Sequence, residues 1–400
     1  MAAMTDDSPH ISALRLTCFR NYPEAELTLD ARPVALYGAN GAGKTNLLEA
    51  VSMLAPGRGM RRASVEEIAL RSEEAAGSGV KTAELGSTAW SVSADLALPG
   101  GVQRVGVGQD PAAPSRKLTR LNGAPAAQNE LGALARVTWA TPAQDRIFAG
   151  PRGERLKFFD RLVLALHPDH GLNASRYEKA MRERSRLLEE GARDPAWLEG
   201  LEAEMAARGV ALARARAEIV ARLQAEIDER PDGAFPKADL TLIEADADRG
   251  AASSEVAPFA LEDAAAAEQA FAAALAEARR RDGRAGRALT GPHRTDFAAR
   301  HRVKAMPAGE CSTGEQKALL VGLALAHARA LGAHRGEGLA LLLLDEAAAH
   351  LDRARRAALA EELLALGVQV WMSGTDAELF EAFGDRAQRF EVSEGRVEPR

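Results

Sequence analysis

Short apolar runs, each bounded by glycine, proline or polar residues, dominate the first third of the chain. Such runs are typical of strands, because a half-buried strand places alternate side chains against a core. We predict strands over residues 11–17, 25–29, 34–37, 90–98 and 102–108. Pro99-Gly100-Gly101 is expected to form the turn between the last two, and residues 117–123 predict a further hairpin.

From about residue 150 the apolar positions recur every three or four residues, which predicts helices. One helix is expected over residues 154–166 and a second from about Asn173. A third is expected from Asp194-Pro195, where an N-cap residue precedes a proline at the first helical position. Residues 264–280 predict an alanine-rich fourth helix, and residues 238–243 predict a strand within or beside these helices.

The C-terminal part returns to a mixture of helices and strands. A helix is predicted to open within residues 311–317 and to run through residues 318–326, and strands are predicted over residues 339–344, 368–372 and 390–392. We therefore expect an α/β fold in three segments. Residues 1–149 and 286–400 would form the two parts of a head, and residues 150–285 would form a mainly helical arm inserted between them.

A glycine-rich loop follows the predicted strand at residues 34–37. Gly38, Gly43, Lys44 and Thr45 match the Gly-x4-Gly-Lys-Thr pattern of phosphate-binding loops, and a helix is expected directly afterwards. The loop N–H groups and the helix N-terminus would face phosphates, Lys44 would reach the β- and γ-phosphates, and Thr45 would bind Mg²⁺. The ATP-binding residues predicted here are Gly38, Ala39, Asn40, Gly41, Ala42, Gly43, Lys44, Thr45 and Asn46.

Two acidic residues end the unbroken apolar run at residues 339–344. Asp345 and Glu346 follow this predicted strand at its carboxyl end, where α/β sheets bind ligands. Asp345 is expected to hold Mg²⁺ through water, and Glu346 is expected to position or activate the attacking water. The alternative is a strand followed by an acidic helix N-terminus, which the helix dipole also favours. The phosphate-binding loop favours the catalytic interpretation, with Lys44 as the third catalytic residue.

Ser312 begins the predicted helix that precedes the acidic strand, and Glu315 lies three residues later. This spacing predicts a capping box at the helix N-terminus. Residues 311–316 also resemble the signature motif of ABC-type ATPases, with Cys311 in place of the usual leucine. The resemblance implies an ATPase head whose Ser312 and Gly314, with Glu315 beside them, contact the γ-phosphate bound by a second copy. His350-Leu351-Asp352 is similar to the D-loop, which lies along the dimer seam in that class.

Further segments resemble the RecF family of bacterial recombination mediators, an ABC-type branch related to chromosome-maintenance ATPases. These are Phe19-Arg20-Asn21-Tyr22 with the residues before it, and residues 56–61, 291–296 and 371–376. The resemblance extends from residue 11 to near the C-terminus. It implies an ATP-dependent homodimer that clamps duplex DNA near single-strand gaps, hydrolyses ATP weakly with stimulation by DNA, and helps RecR and RecO to load RecA.

Two loops depart from the general ABC pattern. The switch loop after the strand at residues 368–372 lacks the expected histidine, and either Thr375 or Asp376 would contact the γ-phosphate instead. Fast hydrolysis is not expected of such a site. At the position of the Q-loop, Gln144 or Asp145 would meet Mg²⁺, and the alternative is that Gln144 is only a surface residue. The candidate metal ligands are Thr45, Asp345 and Gln144.

Composition is ordinary for a globular protein, with 400 residues of which 46% are hydrophobic and 27% are charged. The two cysteines, Cys18 and Cys311, predict no disulfide framework and fit the reducing cytoplasm. No apolar run approaches the roughly twenty residues that cross a membrane. Residues 1–10 are polar and acidic, unlike a secretory signal. We therefore expect a cytoplasmic protein without a membrane partner.

A net charge of −6 excludes a chain that is basic throughout, but a local basic surface remains compatible with it. Residues 279–304 are rich in arginine, and their only acidic residues are Asp282 and Asp296. Arg58, Arg61 and Arg62 form a second basic group. Both groups are candidate contacts for DNA phosphates. The alternative is a solvated face of a helix and a hairpin.

Three other classes of protein fit the sequence less well. A chromosome-organising ATPase is the main alternative, but the arm is short and carries no zinc-hook or hinge signature. A transporter coupling subunit would need a membrane partner, and the long insertion and the basic segment disfavour it. A phosphoryl-transferring kinase would have no use for a signature motif.

Overall fold

The computed structural model describes residues 8–70, 89–191, 195–233, 235–245, 252–255, 263–333, 338–347 and 351–400. The chain divides into two compact units. The first unit comprises Met1–Asp145, Asp232–Phe235 and Leu320–Arg400. The second unit comprises Arg146–Pro231 and Pro236–Leu319.

Each strand that the sequence predicts is present, with ends shifted by a few residues. In chain order the strands are β1 (His10–Phe19), β2 (Tyr22–Thr28), β3 (Val34–Tyr37), β4 (Ser91–Leu98), β5 (Gly101–Asp110), β6 (Ala113–Leu121), β7 (Ala124–Pro125), β8 (Ala135–Ala140), β9 (Ala238–Ala245), β10 (Ala252–Glu255), β11 (Thr295–His301), β12 (Met306–Pro307), β13 (Leu339–Leu344), β14 (Gln369–Gly374), β15 (Gln388–Ser393) and β16 (Arg396–Pro399).

The predicted helices are also confirmed. The α-helices are α1 (Lys44–Ser52), α2 (Leu131–Leu134), α3 (Arg152–Leu166), α4 (His170–Glu189), α5 (Pro195–Glu229), α6 (Ala264–Ala285), α7 (Thr313–Ala333) and α8 (Arg353–Leu364). Short 3₁₀ segments occur at Glu66–Ile68, Gln128–Glu130, Pro142–Gln144, Pro292–Arg294, Ala308–Glu310 and Ala377–Arg386. α6 begins where the Asp263 carboxylate accepts from two backbone N–H groups and ends at Gly286 in the left-handed conformation. Asp194, the predicted N-cap of α5, lies outside the described residues.

A parallel sheet in the first unit positions the candidate site. Its strand order is β16-β15-β3-β14-β13-β8, and only the β15–β16 pair is antiparallel. The predicted apolar strand is β13, which is buried on both faces as expected for the interior of a parallel sheet. Because β3, β14, β13 and β8 run in the same direction, their carboxyl ends meet at one edge of this sheet.

A second, antiparallel sheet of the first unit has the order β2-β1-β4-β5-β6-β7, with the predicted turn between β4 and β5. One hydrophobic core joins this sheet, α1 and the parallel sheet. Its buried members include Leu14 and Val92 from the antiparallel sheet, Leu48 from α1, and Leu36 and Leu343 from the parallel sheet. The helix that follows the glycine loop is therefore fixed by packing against both sheets.

The second unit combines long helices with a small sheet. α4, α5 and α6 share a core that contains Tyr177, Met205 and Phe271. Arg184, which is fully buried, donates to Glu202 at 3.0 Å, to Asp282 at 2.8 Å and to a backbone carbonyl at 2.6 Å. Because a buried charge is stable only when it is paired, this cluster ties the three helices together.

The sheet of the second unit has the order β10-β9-β11-β12. β9 pairs antiparallel with β11, from Ala238 opposite His301 to Glu244 opposite Thr295. This pairing joins residues on both sides of the predicted boundary after residue 285, which therefore lies inside the second unit. The predicted boundary after residue 149 lies close to the start of the unit at Arg146.

Two further features bear on the sequence predictions. Cys18 and Cys311 are both buried, and neither forms a disulfide. Within the described ranges, no helix carries an apolar stretch long enough to cross a lipid bilayer.

Candidate functional site

The glycine loop connects β3 to α1 through backbone conformations that require glycine at two places. Gly38 has a φ of +147°, and a Cβ atom at this position would lie 2.1 Å from the carbonyl oxygen of Val392. Gly43 is the N-cap of α1 with a φ of +118°. A side chain at either position would strain the backbone. The loop therefore has the glycine-dependent geometry that the phosphate-binding pattern predicts.

The β1–β2 turn supports the glycine loop through side-chain hydrogen bonds and close contacts. Asn21 donates through Nδ2 to the carbonyl of Ala42 at 3.0 Å, and its Oδ1 accepts from Nδ2 of Asn46 at 2.7 Å. A Cβ atom at Gly43 would lie 2.6 Å from both Asn21 Nδ2 and the Tyr22 hydroxyl. In the sequence this turn is only a family marker, and its contacts with the site were not predicted. The contacts indicate that it holds the loop in place.

Gly43→Ala is expected to destabilise the protein more than Gly41→Ala. Both residues have positive φ, but nothing lies within 4 Å of a Cβ atom at Gly41, whereas Gly43 faces Asn21 and Tyr22. Overpacking adds about 1–3 kcal/mol to the cost of strain. Free energies of unfolding in denaturant would measure the difference. Equal losses in the two variants would show that the turn does not constrain the loop.

Lys44 is buried, with 4% of its surface exposed. Its Nζ donates to the carbonyl of Gly38 at 2.6 Å and to that of Ala39 at 2.7 Å, so the ammonium lies within its own loop. Burial lowers the pKa of Lys44, and the carboxylates of Glu346, Asp345 and Asp376 partly oppose this shift. The lysine predicted to bind phosphate thus lies in the field of the acidic residues that follow β13 and β14.

Asp345 connects the loop to the parallel sheet. The Thr45 hydroxyl donates to Asp345 Oδ1 at 2.9 Å, and the Ser373 hydroxyl donates to the same oxygen at 2.6 Å. Asp345 is 6% exposed, and its N–H donates to the carbonyl of Ala140 at 2.9 Å. The structure therefore brings together Lys44, Thr45 and Asp345, which the sequence analysis assigned to one site. The contact of Asp345 with Ser373 was not predicted.

Ser373 lies at the carboxyl end of β14, which is the strand next to β13. Its hydroxyl also accepts from the backbone N–H of Glu346 at 3.0 Å. Ser373 had no predicted function, although it lies in the loop that lacks the switch histidine. The missing signal was strand adjacency, since the pairing of β13 with β14 cannot be read from either strand alone.

Glu346 has a φ of +53°, in the left-handed region that non-glycine residues rarely occupy. Such backbone strain costs on the order of 1–3 kcal/mol and is typical of functional sites. Its backbone N–H is fixed by Ser373, and its carboxylate opposes the burial-induced fall in the pKa of Lys44 more than any other charged group. These features are consistent with the predicted catalytic role, which stays a prediction.

The two loops that depart from the ABC pattern have defined local contacts. The Thr375 hydroxyl donates to the Asp376 carboxylate at 2.7 Å, and it is Asp376 whose charge acts on Lys44. Gln144 Oε1 accepts from the backbone N–H of Thr141 at 3.1 Å. Gln144 therefore caps its own 3₁₀ segment through the oxygen atom that would bind a metal ion. The roles of these residues stay predictions.

Oxygen atoms around the loop fit a divalent cation that is shared with a nucleotide. The Thr45 hydroxyl and the Asp345 carboxylate are hard oxygen donors, which Mg²⁺ prefers. Among the residues that the structure describes, no group of three or more His, Cys, Asp or Glu side chains could hold a metal ion.

The signature residues belong to the second unit. Glu315 Oε2 accepts from the backbone N–H of Ser312 at 3.1 Å and from its hydroxyl at 2.9 Å. The first bond is the backward contact of the predicted capping box, whereas the hydroxyl donates to Glu315 instead of accepting from the backbone. Gly314 is exposed, and no heavy atom lies within 4 Å of a Cβ atom built on it. His350, the first residue of the predicted D-loop, lies outside the described residues.

Three cations of the arginine-rich segment are paired with carboxylates. Arg279 pairs with Glu202, Arg302 pairs with Asp228 and Asp239, and Lys304 pairs with Glu315. The acidic partners are distant in sequence from most of these cations, so the local charge count in the sequence overestimates the positive field. DNA contacts by the remaining arginines stay a prediction.

Comparisons with known proteins agree with the geometry. A sequence model of the RecF/RecN/SMC N-terminal domain matches residues 10–397. The chain is 47% identical over 396 residues to the DNA replication and repair protein RecF of Rhizobium etli (strain CIAT 652), with 97% of this chain and 99% of that protein covered. It is 48% identical over 393 residues to the DNA replication and repair protein RecF of Mesorhizobium japonicum, with 98% of each chain covered.

The fold is also similar to a solved structure, that of the recombination mediator protein RecF-ATPrS in the RecFOR pathway. The TM-score is 0.77 at 18% identity, and the match covers 98% of this chain and 99% of that chain. The predicted α/β fold of an ABC-type ATPase head is thereby confirmed. The family model and the two sequence relatives together show that the chain belongs to the RecF family of DNA replication and repair proteins.

Proposed function

We propose that this chain binds ATP with Mg²⁺ at the phosphate-binding loop and uses the nucleotide to control its binding to DNA. The observation that carries the proposal is the group formed by Lys44, Thr45 and Asp345 at the carboxyl edge of the parallel sheet. When bound, Mg²⁺ would neutralise charge on the transferring phosphoryl group. Lys44 would exchange its carbonyl partners for phosphate oxygens, because an ammonium binds an anion more strongly than a neutral acceptor.

Residues around this group support slow ATP hydrolysis, which suits a protein that uses ATP to switch its binding to DNA. Glu346 would orient the attacking water, and the Ser373 hydroxyl would fix the positions of the Asp345 carboxylate and the Glu346 backbone through its hydrogen bonds. Of the two candidates for the switch position, Thr375 and Asp376, we propose Asp376, whose negative charge would oppose charge developing on the γ-phosphate. We therefore propose a weak ATPase, and from the family resemblance we propose that DNA stimulates it.

A second copy would complete each ATP site. Lys44 and Asp345 belong to the first unit, whereas Ser312 and Gly314 belong to the second. Two heads in a symmetric pair would each supply the signature residues for the ATP bound by the other. Binding of the γ-phosphate would then bias an equilibrium between open and closed dimers, since only the closed dimer contacts both sides of the nucleotide.

The DNA substrate and the protein partners are proposed from the family. We propose that the closed dimer clamps duplex DNA beside a single-strand gap in the cytoplasm, together with RecR and RecO, so that RecA can be loaded. Nearly half of the residues are shared with relatives named RecF over almost the whole chain, which favours this role over that of a chromosome-organising ATPase.

Lys44→Ala is expected to weaken the binding of Mg²⁺-ATP by at least about tenfold, because a charge-assisted contact to phosphate is lost. The measurement is the rise in unfolding temperature caused by Mg²⁺-ATP, which depends on affinity by mass action. Lys157→Ala is the matched control, since Lys157 is an exposed lysine that pairs with Glu154. Equal ATP-induced shifts in wild type and Lys44→Ala would contradict the proposed site.

A further inference from the structure

Lys304 forms an ion pair next to the signature motif. It lies in the turn between β11 and β12, and its Nζ contacts Glu315 Oε1. The other carboxylate oxygen of Glu315 accepts from the N–H and from the hydroxyl of Ser312. One carboxylate therefore connects the lysine to the signature serine.

Glu315 is ionised at neutral pH, and its hydrogen bonds favour the ionised form further. Hydrogen bonds from Lys304 and Ser312 lower the pKa of Glu315 to about 2. The side chains of Lys304 and Glu315 are 49% and 28% exposed, so both are accessible at the N-terminal end of α7. A phosphate that approaches Ser312 and Gly314 would meet this carboxylate, and the two negative charges would repel each other.

We infer that Lys304 is a positioning residue of the composite ATP site between two copies, an inference that rests on the proposed function. Lys304 cancels the charge of Glu315, so that Glu315 can cap α7 and orient Ser312 without repelling the γ-phosphate held by the second copy. The N-terminus of α7 favours the phosphate. An uncompensated carboxylate in its first turn would oppose that attraction.

The start of α7 has supports that do not involve Lys304. Gln316, which is 3% exposed, donates through Nε2 to the carbonyl of Cys311 at 2.8 Å and to that of Gly309 at 3.3 Å. Loss of Lys304 should therefore leave the helix N-terminus folded and change mainly its charge. This separation allows the electrostatic role to be tested without unfolding the motif.

The test measures the fraction of dimer in Mg²⁺-ATP, from the molecular mass in solution, for four proteins. They are wild type, Lys304→Gln, Lys304→Arg and the double variant Lys304→Gln/Glu315→Gln. We expect Lys304→Gln to weaken ATP-dependent dimerisation about tenfold, because it leaves an uncompensated charge at the interface. Lys304→Arg restores the cation, and the double variant removes the repulsion while glutamine still caps α7. Both should dimerise nearly as well as wild type.

Ionic strength gives a second measure, since repulsion between exposed charges is screened within about 10 Å at 0.1 M salt. The deficit of Lys304→Gln should shrink as salt rises, whereas a structural defect would not. Lys179→Gln is the matched control, because Lys179 is an exposed lysine of α4 in the same unit.

The outcomes separate this inference from the proposed function. Wild type that fails to dimerise with ATP contradicts the proposed function, and the inference with it. If wild type dimerises with ATP and Lys304→Gln dimerises equally well, only the role of Lys304 is overturned. A double variant that remains as weak as Lys304→Gln overturns the charge mechanism.

Discussion

Ser312→Arg is expected to abolish ATP-dependent dimers while each copy still binds ATP. Ser312 is exposed at the N-terminus of α7, next to Gly314, whose Cα has open space around it. In the proposed dimer a phosphate of the second copy must approach these two residues closely. An arginine side chain would fill that space, and a close-packed interface cannot absorb the added volume without moving the helix away from the nucleotide.

Dimer mass in Mg²⁺-ATP, measured together with ATP-induced thermal stabilisation, separates the two effects of Ser312→Arg. Ser175→Arg is the matched control, because Ser175 is an exposed serine on α4 of the same unit. It should bind ATP and dimerise as wild type does. Dimers of Ser312→Arg at wild-type ATP and protein concentrations would eliminate the two-copy site.

Glu346→Gln is expected to bind ATP normally and to lower its hydrolysis by about 100-fold or more, a range typical of losing a group that acts only in the transition state. Glutamine keeps the size and hydrogen-bonding shape of the side chain but cannot accept a proton from water. The contact of the Glu346 N–H with Ser373 involves the backbone and is retained. The variant should also remain longer on DNA, because ATP persists in the closed state.

Phosphate release under single-turnover conditions would measure this loss. Glu394→Gln is the matched control, since Glu394 is an exposed glutamate of the first unit that also has a positive φ of 46°. Glu346→Gly offers a second check, because removing the strained side chain should raise stability by about 1 kcal/mol while activity is lost. Normal turnover in Glu346→Gln would exclude the catalytic role.

The parts of the site that follow from local patterns could be predicted from the sequence. The glycine loop, Lys44 and Thr45 are consecutive, and Asp345 ends an apolar run that can be recognised as a buried strand. Parallel strands place such residues at one sheet edge, so the contact of Thr45 with Asp345 follows from the fold class. The family resemblance added the order of the motifs.

The supporting contacts could not be predicted, because they join segments that are distant in sequence. Ser373 reaches Asp345 only because β14 pairs with β13, and Asn21 reaches Ala42 only because the β1–β2 turn packs beneath the loop. The same limit applies to charge. The segment around Arg302 appears strongly basic in the sequence, but folding brings Asp228 and Asp239 into contact with this arginine. Polar contacts of this kind depend on tertiary geometry rather than on periodicity.

Retention on a duplex that contains a single-strand gap, measured with dimer mass in the presence and absence of Mg²⁺-ATP, tests the central claim most directly. We predict that wild type is retained as a dimer only with ATP, and that Lys44→Ala is neither retained nor dimeric. ATP-dependent dimerisation without retention on the gapped duplex would contradict the account and assign the ATP-driven dimer to a ligand other than DNA.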